Sequence, residues 1–238
     1  MQRSIDQAVD GLITKALKTW NMVEPGDRIL VAASGGKDSS IMAMDLAQKQ
    51  SQGRLHAELA AMHIRSDFAD SMSDRLLAEY ESWGLKLKSL DVAVEGRLKD
   101  GRKMNCYWCS MQRRTELIRY AMDNGYNCLA LGHHLDDVLE TLFMNMMDKG
   151  VLSTMPPVMK YIKYPVKIIR PLYLVEERQI IQLAGLLGLD AISCSCNYND
   201  NSARDKTRER IELLTKGSGK AKRAILKSLS NINFGYLP

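Results

Sequence analysis

The sequence predicts an α/β fold in which a parallel sheet is flanked by helices. Short apolar segments that suit buried strands alternate with segments of helical periodicity, and turns rich in glycine separate them. This alternation implies parallel strands joined by right-handed crossovers. The chain has 238 residues, of which 45% are hydrophobic and 26% charged, so it is long enough for one such domain with short appendages.

The predicted elements follow one another along the chain. Apolar residues spaced three and four apart predict a helix over residues 2–23, and the turn at residues 24–27 leads into the first strand. Strands are predicted at residues 29–33, 56–64, 85–90, 126–131 and 168–172. Helices are predicted at residues 39–50, 70–83, 106–124, 132–147 and 176–187, and a loop at 148–165.

On this basis we divide the chain into three parts. Residues 1–24 are the N-terminal helix, residues 25–203 the main domain and residues 204–238 a basic helical segment. Between Arg204 and Lys227, nine Lys/Arg stand against three Asp/Glu, a net charge of +6, whereas the rest of the chain sums to −1. Such a segment attracts phosphates, which makes nucleic acid the partner to test, although a solvated helical face remains an alternative.

The sequence contains no long uncharged apolar run and no signal-peptide pattern. We therefore expect a cytoplasmic protein without a membrane span.

A glycine-rich segment after the first strand predicts a nucleotide site. Ser34-Gly35-Gly36-Lys37-Asp38-Ser39 follows the strand at 29–33 and begins a helix. The two glycines let the backbone approach an anion, and the helix start offers unpaired N–H groups to it. Lys37 adds a positive charge, and Asp38 could hold Mg²⁺. The spacing differs from Gly-x-x-x-x-Gly-Lys-Ser/Thr, so the chemistry of that motif is not implied.

The second strand ends close to this segment. Ligands of parallel sheets bind at the carboxyl ends of the strands, so the backbone at Met62-His63-Ile64 could contact an adenine. We count His63 among the cofactor-binding candidates. For its side chain, an ordinary position at the end of a strand is favoured over a catalytic one.

Five cysteines, an odd number, argue for thiol or metal chemistry rather than a disulfide framework. Cys106 and Cys109 form a Cys-x-x-Cys pair at a helix start, where the helix dipole and Arg113-Arg114 favour thiolates. Cys194-Ser195-Cys196 follows the last strand. Spacing alone leaves three interpretations open: a structural zinc, a redox disulfide, or a [4Fe–4S] cluster on three thiolates with one iron left open. Cys128 lies in a strand and is expected to be a buried small hydrophobe.

Taken together, the motifs of this chain resemble one family. In order, they are Ser34-Gly35-Gly36-Lys37-Asp38-Ser39, Cys106-x-x-Cys109 with Arg113-Arg114, Gly132-His133-His134-x-Asp136-Asp137, Met155-Pro156-Pro157, Arg170-Pro171-Leu172 and Cys196. This combination resembles the TtcA-type tRNA-cytidine 2-sulfurtransferases, PP-loop enzymes with an iron–sulfur cluster that install 2-thiocytidine at position 32 of tRNA. The resemblance covers roughly residues 5–215.

The resemblance implies a Rossmann-like PP-loop sheet of the adenine nucleotide alpha hydrolase type, and it places ATP binding, cluster binding and catalysis in residues 25–203. The implied reaction adenylates the cytidine C2 oxygen and replaces it with sulfur at a [4Fe–4S] cluster. The implied partners are tRNA and a sulfur donor, either a cysteine desulfurase or inorganic sulfide, and a homodimer is compatible with the family.

The resemblance also implies residue roles. Asp38 would be the Mg²⁺ ligand, and Cys196 matches the third cluster ligand better than Cys194, although the family pattern is Cys-x-x-Cys where this chain has Cys-x-Cys. The ATP-binding residues would be Ser34, Gly35, Gly36, Lys37, Asp38 and Ser39, bordered by Gly132, His133 and Asp137. The catalytic set would be Lys37, Asp38, Cys106, Cys109 and Cys196.

Two alternatives stay open at this point. One is a PP-loop ligase or amidase-like enzyme that carries a structural zinc and acts on a small molecule. The other is a non-catalytic nucleotide- and RNA-binding module whose cysteines sense redox state. Tyr107 and Trp108 could stack on a target base, although core packing is slightly favoured for both.

Overall fold

Strands and helices alternate along most of the chain, as the sequence predicts. The computed structural model describes residues 2–67, 71–98, 101, 103–189 and 202–236. Its strands are β1 Asp27–Ala32, β2 Ala57–Ser66, β3 Leu87–Val92, β4 Cys128–Ala130, β5 Val158–Lys160 and β6 Lys167–Ile169. Its helices are α1 Gln2–Thr19, α2 Lys37–Ser51, α3 Asp74–Ser82, α4 Cys106–Asp123, α5 Leu135–Lys149, α6 Glu177–Leu187, α7 Ser202–Thr215 and α8 Gly219–Ser228, with 3₁₀ turns at Glu95–Arg97 and Phe234–Tyr236.

The described strands form one sheet in the order β3-β2-β1-β4-β6-β5. All neighbouring strands are parallel except β5, which runs antiparallel to β6. The chain leaves β1 toward β2 on one side, whereas β4 pairs with β1 on the other side. The loops after β1 and β4 therefore begin side by side at the carboxyl edge, at the point in such sheets where ligands bind.

Both faces of the sheet are buried at the central strands β1 and β4, which explains their nearly continuous apolar sequences. Ile29 and Val31 pack into one core cluster with α1, α2 and α6, while Leu30, between them, packs into a second cluster with α4. This alternation is the two-residue period of a strand. None of the helices in the described ranges is long and apolar enough to cross a membrane.

Three predicted strand assignments need correction. The loop predicted at residues 148–165 contains β5, a three-residue edge strand. β3 begins at Leu87 because Leu85 is still part of the turn that ends α3: its amide donates to the Tyr80 carbonyl, and Gly84 before it has φ +74°. β6 ends at Ile169 instead of residue 172, since Pro171 has no N–H for the ladder.

The basic segment packs on the main domain. Ile211 of α7 is buried against α5 side chains, and half-buried residues of α8 join the same cluster. Three of the basic residues make ion pairs of 2.8 Å there: Arg208 with Glu140, Lys222 with Asp136 and Arg223 with Glu176. Arg204 makes a longer one of 3.9 Å with Glu140. Part of the positive charge therefore holds the two helices in place. The three-part division of the chain stays a prediction.

We predict that Ile211→Ala lowers the free energy of unfolding by about 2–5 kcal/mol, because Ile211 is 3% exposed and its loss leaves a cavity beside α5. The matched control is Leu213→Ala on the same helix, where the side chain is 79% exposed and the expected change is within about 0.5 kcal/mol. Urea denaturation measures both. Equal, small effects would show that α7 does not pack on α5 in solution.

Candidate active site

The glycine-rich loop at residues 34–39, hereafter the glycine loop, connects β1 to α2 and is held by its own hydroxyls. The Ser34 amide donates to Ser39 Oγ at 3.1 Å, and Ser39 Oγ donates to the Gly36 carbonyl at 2.9 Å. Gly35 has φ +85°, which favours glycine. Gly36 is the N-cap of α2 and has no side chain to cap it, so the first-turn amides are left for a ligand.

A cavity of about 270 Å³, hereafter the nucleotide cavity, lies beside this loop and is lined by both apolar and polar side chains. The apolar ones are Met62 and Ile64 of β2 and Leu117 of α4, which suit a base. The polar ones include Asp38 and Asp137 from the starts of α2 and α5, together with Arg113 and Arg114 of α4 and the hydroxyls of Ser34 and Ser39. An apolar wall next to a helix start and cationic side chains is the environment that a nucleotide needs.

One carboxylate oxygen of Asp38 accepts no hydrogen bond. Lys37 Nζ donates a long hydrogen bond of 3.4 Å to Asp38 Oδ2 and lies 3.3 Å from Oδ1 as an ion pair, but Oδ1 is buried and accepts no hydrogen bond from the described residues. Burial raises the pKa of Asp38; the charges of His134 and Lys37 oppose this, and the Asp137 carboxylate adds to it. A divalent cation would coordinate Oδ1 and offset the repulsion between the two carboxylates, so the arrangement fits Mg²⁺.

Lys37 has a second carboxylate partner that lies far away in sequence. Its Nζ donates to Glu177 Oε1 at 3.0 Å, and Glu177 is the first residue of α6. Burial lowers the pKa of Lys37, but the Asp38 and Glu177 carboxylates outweigh it and raise that pKa overall. The ammonium is therefore charged and held next to the glycine loop.

The start of α5 is tied to the glycine loop by close packing. A Cβ at Gly132 would lie 3.2 Å from Ser39 N, so a side chain there would push the two loops apart. His134 is the N-cap of α5: its amide donates to Asp137 Oδ2 at 3.0 Å, and the Asp137 amide donates to His134 Nδ1 at 3.4 Å. Asp137 thus fixes the helix start and also lines the nucleotide cavity.

A second, larger cavity of about 760 Å³, hereafter the cysteine cavity, adjoins the first. Cys106, exposed at the start of α4, lines it, and Cys109 is half-buried one turn further along this helix. Three residues, Ser110, Arg114 and His133, line both cavities. The cavity beside the glycine loop and the cavity lined by Cys106 therefore share a wall.

Comparisons with known proteins agree with this geometry. The family model described as a PP-loop domain matches residues 4–214. A tRNA-cytidine(32) 2-sulfurtransferase of Syntrophotalea carbinolica is 35% identical over 207 residues, which cover 85% of this chain and 79% of that protein. The protein of the same name from Geobacter metallireducens is 32% identical over 230 residues, covering 94% and 90%.

The chain belongs to the PP-loop tRNA-cytidine 2-sulfurtransferase family. The fold of this family member is also similar to that of the U34-tRNA thiolase NcsA from Methanococcus maripaludis, solved with its [4Fe-4S] cluster. The TM-score is 0.78 at 24% identity, and the match covers 97% of this chain and 82% of the other. The family resemblance and the Rossmann-like PP-loop fold expected from the sequence are both confirmed.

Most predicted nucleotide residues of this sulfurtransferase family member lie together, but the His63 side chain does not line the cavity. Its Nδ1–H donates to the Ala33 carbonyl at 2.8 Å, and burial lowers its pKa. Its neighbours Met62 and Ile64 line the nucleotide cavity instead, because strand residues alternate in direction. A backbone contact of His63 with adenine stays a prediction.

The aromatic pair at the start of α4 divides between two roles. Trp108 packs against the second core cluster, and its indole N–H donates to the Val94 carbonyl at 3.2 Å, so core packing is the correct interpretation for this side chain. Tyr107 is 73% exposed and lines the cysteine cavity, where it is available for stacking.

Of the other three cysteines, the structure describes Cys128 but not Cys194 or Cys196. Cys128 is fully buried, and burial raises its pKa to about 12, as expected for a thiol that acts as a small hydrophobe. Cys194 and Cys196 lie outside the described residues, so the choice of third cluster ligand stays a prediction. The described residues alone contain no group of three or more His, Cys, Asp or Glu side chains arranged to hold a metal ion.

Sequence reasoning missed three residues of the site. Glu177 contacts Lys37 although the two residues are 140 positions apart in the sequence, and no local sequence pattern predicts this contact. Tyr161 and Tyr164, which line the cysteine cavity with ring centroids 5.6 Å apart, lie in the segment that was expected to be a loop. Their aromatic side chains were the one feature of the sequence that could have indicated a place in the binding site.

We predict that Asp38→Asn raises the melting temperature of the protein at pH 7.5 without Mg²⁺ and ATP. Because burial raises the pKa of Asp38, the ionised carboxylate destabilises the folded state above that pKa. The gain should shrink as the pH falls toward the unfolded-state pKa, where both states bind the proton. The variant should also lose the stabilisation by MgATP, which for a bound ligand at 100 times its Kd is about 2.7 kcal/mol.

Thermal denaturation over a pH series, with and without MgATP, measures both effects. Asp123→Asn, at the exposed end of α4, is the control and should change neither. A variant that melts lower at every pH, or that keeps its full MgATP response, would contradict this role of Asp38.

Proposed function

We propose that this protein is an ATP-dependent tRNA sulfurtransferase that adenylates the C2 oxygen of a cytidine and replaces it with sulfur, giving 2-thiocytidine. The observation that carries the proposal is the pair of adjoining cavities, one at the glycine loop and one lined by Cys106, with His133 and Arg114 in both. An activating site and a sulfur-delivering site must meet at the same base. We propose cytidine as the target nucleoside because the relatives are named tRNA-cytidine(32) 2-sulfurtransferases.

The reaction needs activation because a pyrimidine carbonyl oxygen is a poor leaving group. In the first step this oxygen forms a bond to the α-phosphorus of ATP, and the bond to pyrophosphate breaks. In the second step hydrosulfide forms a bond to C2, the C2–O bond breaks, AMP leaves and the proton of the hydrosulfide passes to solvent. With inorganic sulfide as the donor, no oxidant or reductant is consumed; with a cysteine desulfurase as the donor, a thiol reductant must first release the persulfide sulfur as hydrosulfide.

The residues around the glycine loop suit the first step. Its amides and the Lys37 ammonium would stabilise negative charge on the phosphates, and Asp38 would hold Mg²⁺ through Oδ1, which accepts no hydrogen bond from the described residues. Glu177 would keep Lys37 in position before the nucleotide arrives. Gly132, His133 and Asp137 would border the bound nucleotide.

Two thiols in the described structure fit an iron–sulfur cluster. Cys106 and Cys109 lie one turn apart at a helix start next to a cavity of about 760 Å³, and thiolates are the ligands that such clusters take. We propose Cys196 as the third ligand. Three cysteines would leave one iron of a [4Fe–4S] cluster without a protein ligand, and that iron would supply the position from which sulfur reaches the base.

Positively charged and aromatic groups near the cavities support tRNA as the substrate. Arg113, Arg114 and Arg204 line one or both cavities, and Lys206, Lys216 and Lys220 are exposed on the two C-terminal helices and their connection. A target base has to leave its stack to reach a cavity of this kind, and the exposed Tyr107 could stack on it. A cytoplasmic location, a cysteine desulfurase or inorganic sulfide as donor, and a homodimer remain part of this proposal.

We predict that protein purified without oxygen is brown and contains about four iron and four sulfide per chain. Serine at Cys106, Cys109 or Cys196 should each remove the cluster, whereas Cys194→Ser and Cys128→Ala should keep it. Iron and sulfide assays with absorption spectra measure this. Colourless protein with stoichiometric zinc would contradict the cluster, and full activity of Cys196→Ser would overturn the assignment of the third ligand.

The same preparation tests the enzyme against a binding module. Pyrophosphate release should depend on tRNA and should be lost in Asp38→Ala. Pyrophosphate release at the same rate with and without tRNA would argue against thiolation of tRNA. So would the absence of pyrophosphate release in cluster-loaded wild-type protein.

A further inference from the structure

Two proline-containing motifs, Met155-Pro156-Pro157 and Arg170-Pro171-Leu172, pack against each other around the Arg170 side chain. The Arg170 amide donates to the Pro157 carbonyl at 3.1 Å, and its Nη1 donates to the Pro156 carbonyl at 2.5 Å. The Tyr173 hydroxyl donates to the Met155 carbonyl at 2.9 Å. Arg170 is 3% exposed, so these contacts fix its guanidinium inside the protein.

The fixed guanidinium determines which nitrogen of His133 carries hydrogen. Arg170 Nε–H donates to His133 Nδ1 at 3.2 Å. A guanidinium only donates hydrogen bonds, so Nδ1 must be the unprotonated, accepting nitrogen, and the ring hydrogen lies on Nε2. Burial lowers the pKa of His133 to about 4, and the charges of Arg170, Arg114 and Arg204 act in the same direction, against Asp137. The ring is therefore neutral at pH 7.

His133 stands in the wall between the nucleotide cavity and the cysteine cavity. Its Nδ1 is occupied by Arg170, whereas its Nε2 has no hydrogen-bond partner among the described residues. The nitrogen left for a ligand is thus a neutral N–H donor at the place where the two halves of the reaction meet.

We propose that His133 donates its Nε2 hydrogen bond to the oxygen that bridges the base and AMP, and that Arg170, held by the two proline motifs, is the positioning residue that fixes this tautomer. The inference rests on the proposed function, because that function supplies the bridging oxygen. When the C2–O bond breaks, its electron pair stays on the oxygen that departs with AMP. A neutral donor stabilises this charge while keeping its proton.

Three His133 variants test the donor. A glutamine amide can place N–H where Nε2 lies, whereas an asparagine amide reaches only the position of Nδ1. In single-turnover reactions, His133→Asn and His133→Ala should slow thiolation by about 10²–10³-fold more than they slow pyrophosphate release. His133→Gln should stay within about tenfold of wild type.

Equal losses in the Gln and Asn variants, or parallel losses of thiolation and pyrophosphate release, would overturn the inference. A wild type that thiolates nothing would instead contradict the proposed function, so the two failures can be told apart.

The tautomer has a readout that does not depend on activity. In protein labelled with ¹⁵N-histidine, the signal lost in His133→Gln identifies His133, and its N–H correlations at pH 7 should show hydrogen on Nε2. Arg170→Met should shift hydrogen toward Nδ1 and slow thiolation, while Arg170→Lys, which keeps a donor, should preserve the tautomer. Arg119→Met on the exposed face of α4 is the control.

Hydrogen on Nδ1 in the wild type, or an unchanged tautomer with full thiolation in Arg170→Met, would overturn the positioning role. If Arg170→Met does not fold, the wild-type spectrum and Arg170→Lys still decide the question.

Discussion

The loop after β4 approaches the start of α2 so closely that any side chain at Gly132 would lie 3.2 Å from the Ser39 amide nitrogen. The strand order creates this approach, because β4 pairs with β1 on the side opposite β2, so the loops after β1 and β4 start next to each other. The rest of the site depends on it. His133, the next residue, falls in the wall between the two cavities, and the capping box of His134 and Asp137 brings a second carboxylate near Asp38.

The acidic groups that this approach gathers explain how the C-terminal helices dock. Asp136 uses one carboxylate oxygen to accept the Glu177 amide at 2.7 Å and the other to accept Lys222 Nζ at 2.8 Å. Burial would raise the pKa of Asp136, but these hydrogen bonds lower it overall. Glu177, placed in this way, holds Lys37 beside the glycine loop. The basic segment therefore supports the ATP site through ion pairs and still leaves exposed lysines for a polyanion.

Local sequence signals predicted the parts of the fold that local physics determines. An apolar run before two glycines identified β1 and the glycine loop, and acidic residues after Gly132 identified the start of α5. β5 has only three residues, at the sheet edge, and so no periodicity to reveal it. The contact of Glu177 with Lys37 and that of Arg170 with His133 depend on how distant segments pack, which no window of sequence contains. The motif at Arg170-Pro171-Leu172 was visible, but its partner was not.

The central claim is that ATP activation at the glycine loop and sulfur delivery at the cysteines act on one base. The most direct measurement is nucleoside mass spectrometry of unmodified tRNA incubated without oxygen with the cluster-loaded protein, ATP, Mg²⁺ and sulfide. We predict that 2-thiocytidine forms and that one AMP and one pyrophosphate are released for each 2-thiocytidine formed. Unchanged cytidine in the presence of an intact cluster and bound ATP, or sulfur on a different base, would contradict the account.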